Sequence, residues 1–404
     1  MPLPRGLRAL SHRDYRLFWI GQLLSRIGTW MQSVGQAWLV LELTNSPFRL
    51  GLISTLQFGP VLLFSFVGGV LSDRVAKRKL ILATQIAMML QAFALSGLVW
   101  TGHIEYWHVA VLAAIYGVAN SLDMPARQAY VVELVGKPDL LNAIALNSAV
   151  FNGARVVGPA LAGSLIAAYG VGTAFLINGI SFVAVLAALV AMRTDGAPHP
   201  GARATMREEI MQSLRYAGRT PRILLVLALL LFVSLFVINF NVVVPLIARD
   251  VFAAGAHGFG LLMACLGVGA VLGAVGVASA GLRRPSMAMV VVAALVASAG
   301  VLGLGFVRSF TLAGAILVVT GMAQIVFTSS VNSTVQITVP DAMRGRMMSL
   351  YVLVFVGVTP LGAFVTGWLA ETFGIATACA LGGAGGLFSV AFLAWLWYRR
   401  HATT

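Results

Sequence analysis

The sequence predicts an all-α membrane protein with twelve transmembrane helices in two six-helix bundles, and three observations carry that prediction. Charged residues make up 10% of the 404 positions against 59% hydrophobic, with a mean hydropathy of +0.92; a soluble domain has about a quarter charged. Apolar runs long enough to cross a bilayer, roughly 20 residues each, recur along the whole chain. The bases sit almost wholly in alternate connections between those runs.

In order, the runs are 18–43, 51–71, 80–100, 107–126, 144–168 and 172–192, then 223–247, 259–281, 287–307, 311–332, 347–370 and 376–397. The expected organisation is an N-terminal bundle over 1–192, a cytoplasmic linker over 193–222 and a C-terminal bundle over 223–404. Gly, Pro and Ala make the first part of 193–222 read as linker. Met206 to Arg219 forms an amphipathic pattern suited to a membrane surface, with Ile210, Met211 and Leu214 apolar.

Of the 27 Lys and Arg, 22 lie at the termini or in the even-numbered connections. Arg49, Arg249 and Arg308 occupy the other side, and Arg26 and Arg155 fall within spans. The positive-inside rule then puts both termini in the cytoplasm. It also accounts for most of the net charge of +14 without nucleic acid, which requires a basic face on a soluble fold. "MPLPRGLRALSHRDYRLFWIG" is basic and polar ahead of a full-length span, so no cleavable signal is expected. Cys265 and Cys379 both sit in apolar runs, and neither a disulfide framework nor a metal site is expected.

The halves repeat. Shifting 117–174 by 204 positions gives 14 identities in 58 without a gap, among them Gly117, Gly153, Gly158, Gly163 and Gly170 on Gly321, Gly357, Gly362, Gly367 and Gly374. Two six-span halves in the same orientation form a parallel repeat of the kind used by large transporter folds.

Four stretches then carry a family resemblance: "YRLFWIGQLLSRIGTWMQSVGQAWLV" (15–40), "GVLSDRVAKRK" (69–79), "LDMPARQAYVVELVGKPDLLNAIALNSAVFN" (122–152) and "ARVVGPALAG" (154–163). Together they resemble the major facilitator superfamily over essentially the full length. Within it they resemble the branch of enterobactin exporters and related drug and macrolide efflux proteins. The second stretch matches the loop signature G-x-x-x-D-R-x-G-R-K, with Ala76 where the family has glycine. The fourth resembles an antiporter motif of the fifth span, with Ala162 in place of one glycine.

The resemblance implies a secondary active exporter of a hydrophobic or amphipathic small molecule, siderophore-like or drug-like, working by proton antiport and alternating access. It implies a multi-pass protein of the bacterial inner membrane, a monomer with the small-molecule substrate, protons and the bilayer as partners. The proton gradient, rather than a cofactor, would supply the energy. An importer or uncoupled facilitator on the same fold is the competing reading. The signature implies a cytoplasmic latch of Gly69, Asp73, Arg74 and Arg78. Asp73 would face the start of span 11, and Arg74 and Arg78 would reach towards span 4.

Charges inside spans are expensive and default to functional or paired roles. Gln22, Arg26, Thr29, Ser33 and Gln36 recur at steps of four and three, one face of span 1, which should meet a cavity or another helix. Asp123 is the one acid well inside a span. It is either a protonatable coupling group or the partner of Arg26 or Arg127. Arg155 lies mid-span with Asn152 one turn before it. Gly158–Pro159 combines close helix approach with a kink, for packing or for gating. Asn239 and Gln324 offer polar groups in the second half, and Trp30, Trp38, Phe151, Phe236, Phe240 and Phe327 are candidate cavity aromatics. Enzyme signatures are missing: no H-E-x-x-H, no G-K-[ST] loop, and "GVGAVLG" (267–273) lies inside a span, where helix packing explains it.

Overall fold

A computed structural model describes residues 5–197, 206–279 and 285–401. Within these, the side chains at 5, 6, 65–67, 69, 70, 72, 73, 206–210, 341, 342, 400 and 401 lie outside the described residues. The helices are α1 (Arg13–Thr44), α2 (Pro47–Arg74), α3 (Lys77–Trp100), α4 (Tyr106–Tyr169), α5 (Val171–Ala191), α6 (Met206–Arg219) and α7 (Pro221–Phe236). They continue with α8 (Phe240–Leu246), α9 (Gly255–Ser279), α10 (Met287–Leu304), α11 (Phe310–Thr338), α12 (Asp341–Phe373) and α13 (Ile375–His401). A 3-10 turn over Arg5–Ser11 precedes α1, and a π-helical turn over Ile247–Val251 follows α8.

Among the described residues, ten stretches are long and apolar enough to cross a membrane. α4 counts once there, although its 64 residues hold two spans, and α1 is kept out by its polar side chains. With those two, the twelve expected spans are present.

Two span boundaries differ from the hydropathy reading. The connection expected between spans 4 and 5 is itself helical, interrupted only at Gly136, where φ is 68° and ψ 173°. Pro138 follows, in the first turn of the second arm, where its missing N–H costs nothing. The same offset of 204 carries Gly136 onto Pro340, the N-cap between α11 and α12, so both halves break at one repeat position. Gly170 and Gly374 likewise end the following helices with φ of 79° and 83°, a backbone that only glycine adopts without strain. The expected continuous span 7 is broken at 237–239. Val237 and Ile238 both hydrogen-bond back to Val233 O, and Asn239 O starts the next helix by accepting from Val242 and Val243.

The chain divides into two compact units: unit 1 comprises 1–45 and 56–202, unit 2 comprises 46–55 and 203–404. In unit 1, α1 and α3 each pack on both α4 and α5; in unit 2, α10 packs on α11 and α13, α12 on α7 and α13, and α9 on α11. Gly158 lets α4 cross α1: a Cβ there would stand 2.5 Å from Trp30 Cβ and 2.9 Å from Ile27 O. Its repeat mate Gly362 does the same for α12 on α7, with Leu235 O at 2.5 Å and the Asn239 amide at 2.7 Å.

Candidate functional site

The most concentrated polar chemistry lies in unit 1, where α1, α3 and α4 meet. Asp123 is buried, and both its oxygens are engaged. Oδ1 accepts from Thr84 Oγ1 at 2.8 Å and Gln85 Nε2 at 3.0 Å; Oδ2 accepts from Arg127 Nε one turn further along α4. Of the two partners weighed from sequence, Arg127 makes the direct ion pair. Arg26, half-buried on α1, stands within electrostatic reach of Asp123, Arg127 and Tyr116. Arg127 Nη1 and Gln85 Oε1 are buried without a partner among the described residues. Chemically this is a carboxylate held by three donors, Thr84 and Gln85 from α3 and Arg127 from its own helix, with Arg127 supplying the balancing charge.

The polar stripe of α1 is divided. Gln36 is buried and donates to Gln57 Oε1 of α2 at 2.9 Å, so it meets another helix. Gln22 is also buried. Thr29 and Ser33 are half-buried, and the Thr29 hydroxyl donates to Ser25 O of its own helix. A buried amide network runs on a different face of α1. Gln32 Nε2 donates to Gln91 Oε1 at 2.8 Å, and Asn178 Nδ2 donates to Gln32 Oε1 at 2.7 Å, joining α1, α3 and α5. Sequence periodicity missed it because Gln32 is off the stripe. The buried Gln85 and Thr84 were missed as well, and the available signal was an uncommon density of polar side chains in α3.

Arg155 is buried beneath Trp30, with its guanidinium carbon 5.9 Å from the ring centroid, and Trp30 meets Phe151 edge to face. Asn152 is half-buried and donates to Ser148 O. Pro159 is buried beside Gly158. In unit 2, Asn239 is buried at the break of span 7, donating to Leu235 O at 2.8 Å, and Gln324 is buried in α11. Phe240 and Phe327 are core residues at 4% and 0% exposure, so neither lines a cavity.

The signature loop performs a task that its sequence did not announce. Asp73 and Gly69, the proposed latch residues, have side chains outside the described residues, and Arg74 is exposed. Ala76 adopts φ −55° as N-cap of α3, an ordinary conformation that needs no glycine. Arg78 hydrogen-bonds away from span 4, to Leu189 O at 2.6 Å, Val190 O at 2.9 Å and the Asp195 carboxylate at 2.8 Å. It is Lys77 that reaches α4, pairing with Glu133 at 2.6 Å while donating to Ala197 O. The amides of Lys77 and Arg78 donate to Gly196 O and Asp195 O, which satisfies two of the free N–H groups at the start of α3.

Residues 193–197 are therefore a strap over one end of unit 1. Asp14 fastens the strap to α1 by accepting from the Arg193 and Thr194 amides and the Thr194 hydroxyl. Tyr130 closes it by donating to Thr194 O. The 3-10 turn is pinned beside it: Arg8 and His12 both hold Asp139, and Ala9 N donates to Asn142.

Compared with known proteins, the chain matches the model of the MFS_3 family, transmembrane secretion effector, over residues 5–401. It is 24% identical over 365 residues to the Staphyloferrin A transporter of Staphylococcus aureus, covering 89% of this chain and 90% of that one. It is 26% identical over 364 residues to the multidrug efflux pump Tap of Mycolicibacterium fortuitum, covering 87% and 88%. Among solved structures, a POT family transporter in complex with a thioalcohol-conjugated peptide superposes with a TM-score of 0.77 over 96% of both chains at 12% identity, a likeness of fold.

Proposed function

Because the chain belongs to the transmembrane secretion effector family of the major facilitator superfamily, and is a membrane transporter rather than an enzyme, we propose that it exports a siderophore-like or drug-like amphipathic molecule by proton antiport and alternating access. The observation that carries the coupling is the buried Asp123, whose ion-pair partner among the described residues, Arg127, is also buried. In this reading Asp123 is the group that takes up the coupling proton, and loss of its charge would weaken its pairing with Arg127. Outward direction rests on relatives named for efflux and for a siderophore. Cytoplasmic termini rest on the 22-to-three split of bases. The bundle–linker–bundle organisation over 1–192, 193–222 and 223–404 belongs to the same reading.

Everted membrane vesicles with an acidic interior provide the test, using a panel of siderophores and lipophilic antibiotics. Gradient-driven uptake of at least one compound, abolished by a protonophore and reduced on the order of tenfold or more in Asp123→Asn at equal protein abundance, is the expected result. No gradient-driven uptake of any compound overturns antiport. Undiminished uptake in the Asn variant removes Asp123 from the mechanism. Uptake only by right-side-out vesicles would show import.

A further inference from the structure

Unit 2 has a cavity of about 190 Å³ where the start of α7 and the approach to α10 meet the end of α11. Arg222, Pro285, Thr334, Ile337 and Thr338 line it. The apolar stretches of α7, α10 and α11 all begin or end here, so in a bilayer the cavity falls at the level of the headgroups rather than in the hydrocarbon.

Arg222 brings a positive charge to this wall, and little in the chain balances it. Its Nη2 donates to Pro285 O at 3.1 Å, while Nε is buried with no partner among the described residues. No acid lines the cavity among those residues. Between Glu209 and Asp341 the sequence holds a single acid, Asp250, which pairs with Arg249 beyond α8; the side chains of Glu209 and Asp341 lie outside the described residues. Bases gather instead: Arg215 and Arg219 are exposed on α6, and Arg283 and Arg284 immediately precede Pro285 in the sequence. The helix dipoles largely cancel, because α7 offers its positive end here and α11 its negative end. The attraction for an anion is therefore the arginine's.

Size and apolar surroundings narrow the occupant. The cavity is smaller than the roughly 300 Å³ at which sites for drug-sized molecules begin, so it suits a phosphate-sized group and not a whole amphipathic cargo. Ile337 lines it and is 46% exposed, and Leu224, two residues past Arg222, is 49% exposed. Apolar surface thus adjoins the cavity on both α7 and α11. The Thr334 hydroxyl is spent on Ser330 O at 2.8 Å, whereas the half-buried Thr338 adds a hydroxyl able to donate.

We propose that this cavity holds the phosphate of an anionic phospholipid, with Arg222 and the Thr338 hydroxyl towards the phosphate oxygens and the acyl chains against Ile337 and Leu224. Basic pockets between membrane helices bind such headgroups, and a guanidinium is the side-chain cation best matched to phosphate. A lipid held there ties together the ends of α7, α10 and α11 and stabilises unit 2 as any ligand of the folded state does. That the leaflet is the cytoplasmic one rests on the orientation proposed above from the bases; the chemistry of the cavity does not.

The test is native mass spectrometry of the full-length protein released from a neutral detergent carrying equimolar dioleoylphosphatidylglycerol and dioleoylphosphatidylcholine. The wild type should retain phosphatidylglycerol in preference on the order of tenfold, as for a hydrogen bond to a charged group. Arg222→Gln should remove that preference. Thr338→Val keeps the side-chain shape and the arginine, and should weaken the preference to a smaller extent. Arg219→Gln, which alters an exposed base outside the cavity, should leave it intact. Equal retention of the two lipids by the wild type overturns the proposal. So does a preference that survives both cavity variants, or one that Arg219→Gln removes as fully as Arg222→Gln. Displacement of phosphatidylglycerol by millimolar inorganic phosphate would make the occupant a soluble anion and overturns the lipid. Retention is read without cargo or gradient, so failure of either this test or the vesicle test leaves the other result standing.

Discussion

The two units share a mould and differ in what fills it. Every buried Asp, Arg or Lys among the described residues, namely Lys77, Asp123, Arg127, Asp139 and Arg155, belongs to unit 1. Unit 2 buries hydroxyls and the two amides Asn239 and Gln324. At the repeat offset of 204, Asp123 falls on Phe327 and Arg127 on Val331, both 0% exposed. Yet the helix breaks at 136 and 340, the glycine stops at 170 and 374, and the crossings at 158 and 362 coincide. Helix geometry must be satisfied in each bundle, whereas a buried charge inside the membrane is expensive and is kept only where partners are at hand.

The largest effect should come from the position where the contents diverge. Asp123→Ala leaves Arg127, Thr84 and Gln85 without their acceptor and should cost about 3–5 kcal/mol, the penalty for breaking a buried ion pair. Phe327→Ala should cost a similar ~3–5 kcal/mol through a cavity. What separates them is rescue: Arg127→Met should restore part of the loss in the first, and no single polar change should restore the second. Thermal unfolding in detergent reads both, and failure of rescue would mean that Asp123 is not held chiefly as an ion-pair partner.

An intermediate and matched effect is expected where the units agree. Gly158→Val and Gly362→Val each force a side chain into a neighbouring helix and should cost roughly 1–3 kcal/mol. Unequal losses would break the symmetry argument.

The smallest effect lies at the strap, which has no counterpart among the described residues of unit 2. Burial works against an ionised Asp14, but hydrogen bonds from Thr194 and Arg193 and the Arg13 cation outweigh it and hold the carboxyl below its ordinary value of 3.8. Its contribution is therefore complete near neutral pH and is lost as the pH falls below 3.8 through the folded value. Asp14→Asn should cost less than about 1 kcal/mol at pH 7. It should also remove that acid-limb dependence, as measured by unfolding at pH 3 and pH 7.

Much of this architecture was legible in advance because hydropathy is a property of consecutive residues. The order of the spans, the 204-residue repeat, the helix at Met206–Arg219 and the isolation of Asp123, Arg26 and Arg155 follow from one-dimensional spacing. Spacing cannot tell which neighbour a side chain meets, since that depends on how each helix is rotated and which helix lies beside it. So Arg127 rather than Arg26 as the direct partner of Asp123 was decided only by packing, and likewise the Gln32–Gln91–Asn178 network. The helical connection around Gly136, the broken span 7 and the task of Lys77 and Arg78 under the strap were likewise visible only in the folded chain. The amide network and the strap join residues far apart in the chain, through contacts that exist only once the helices have been brought together.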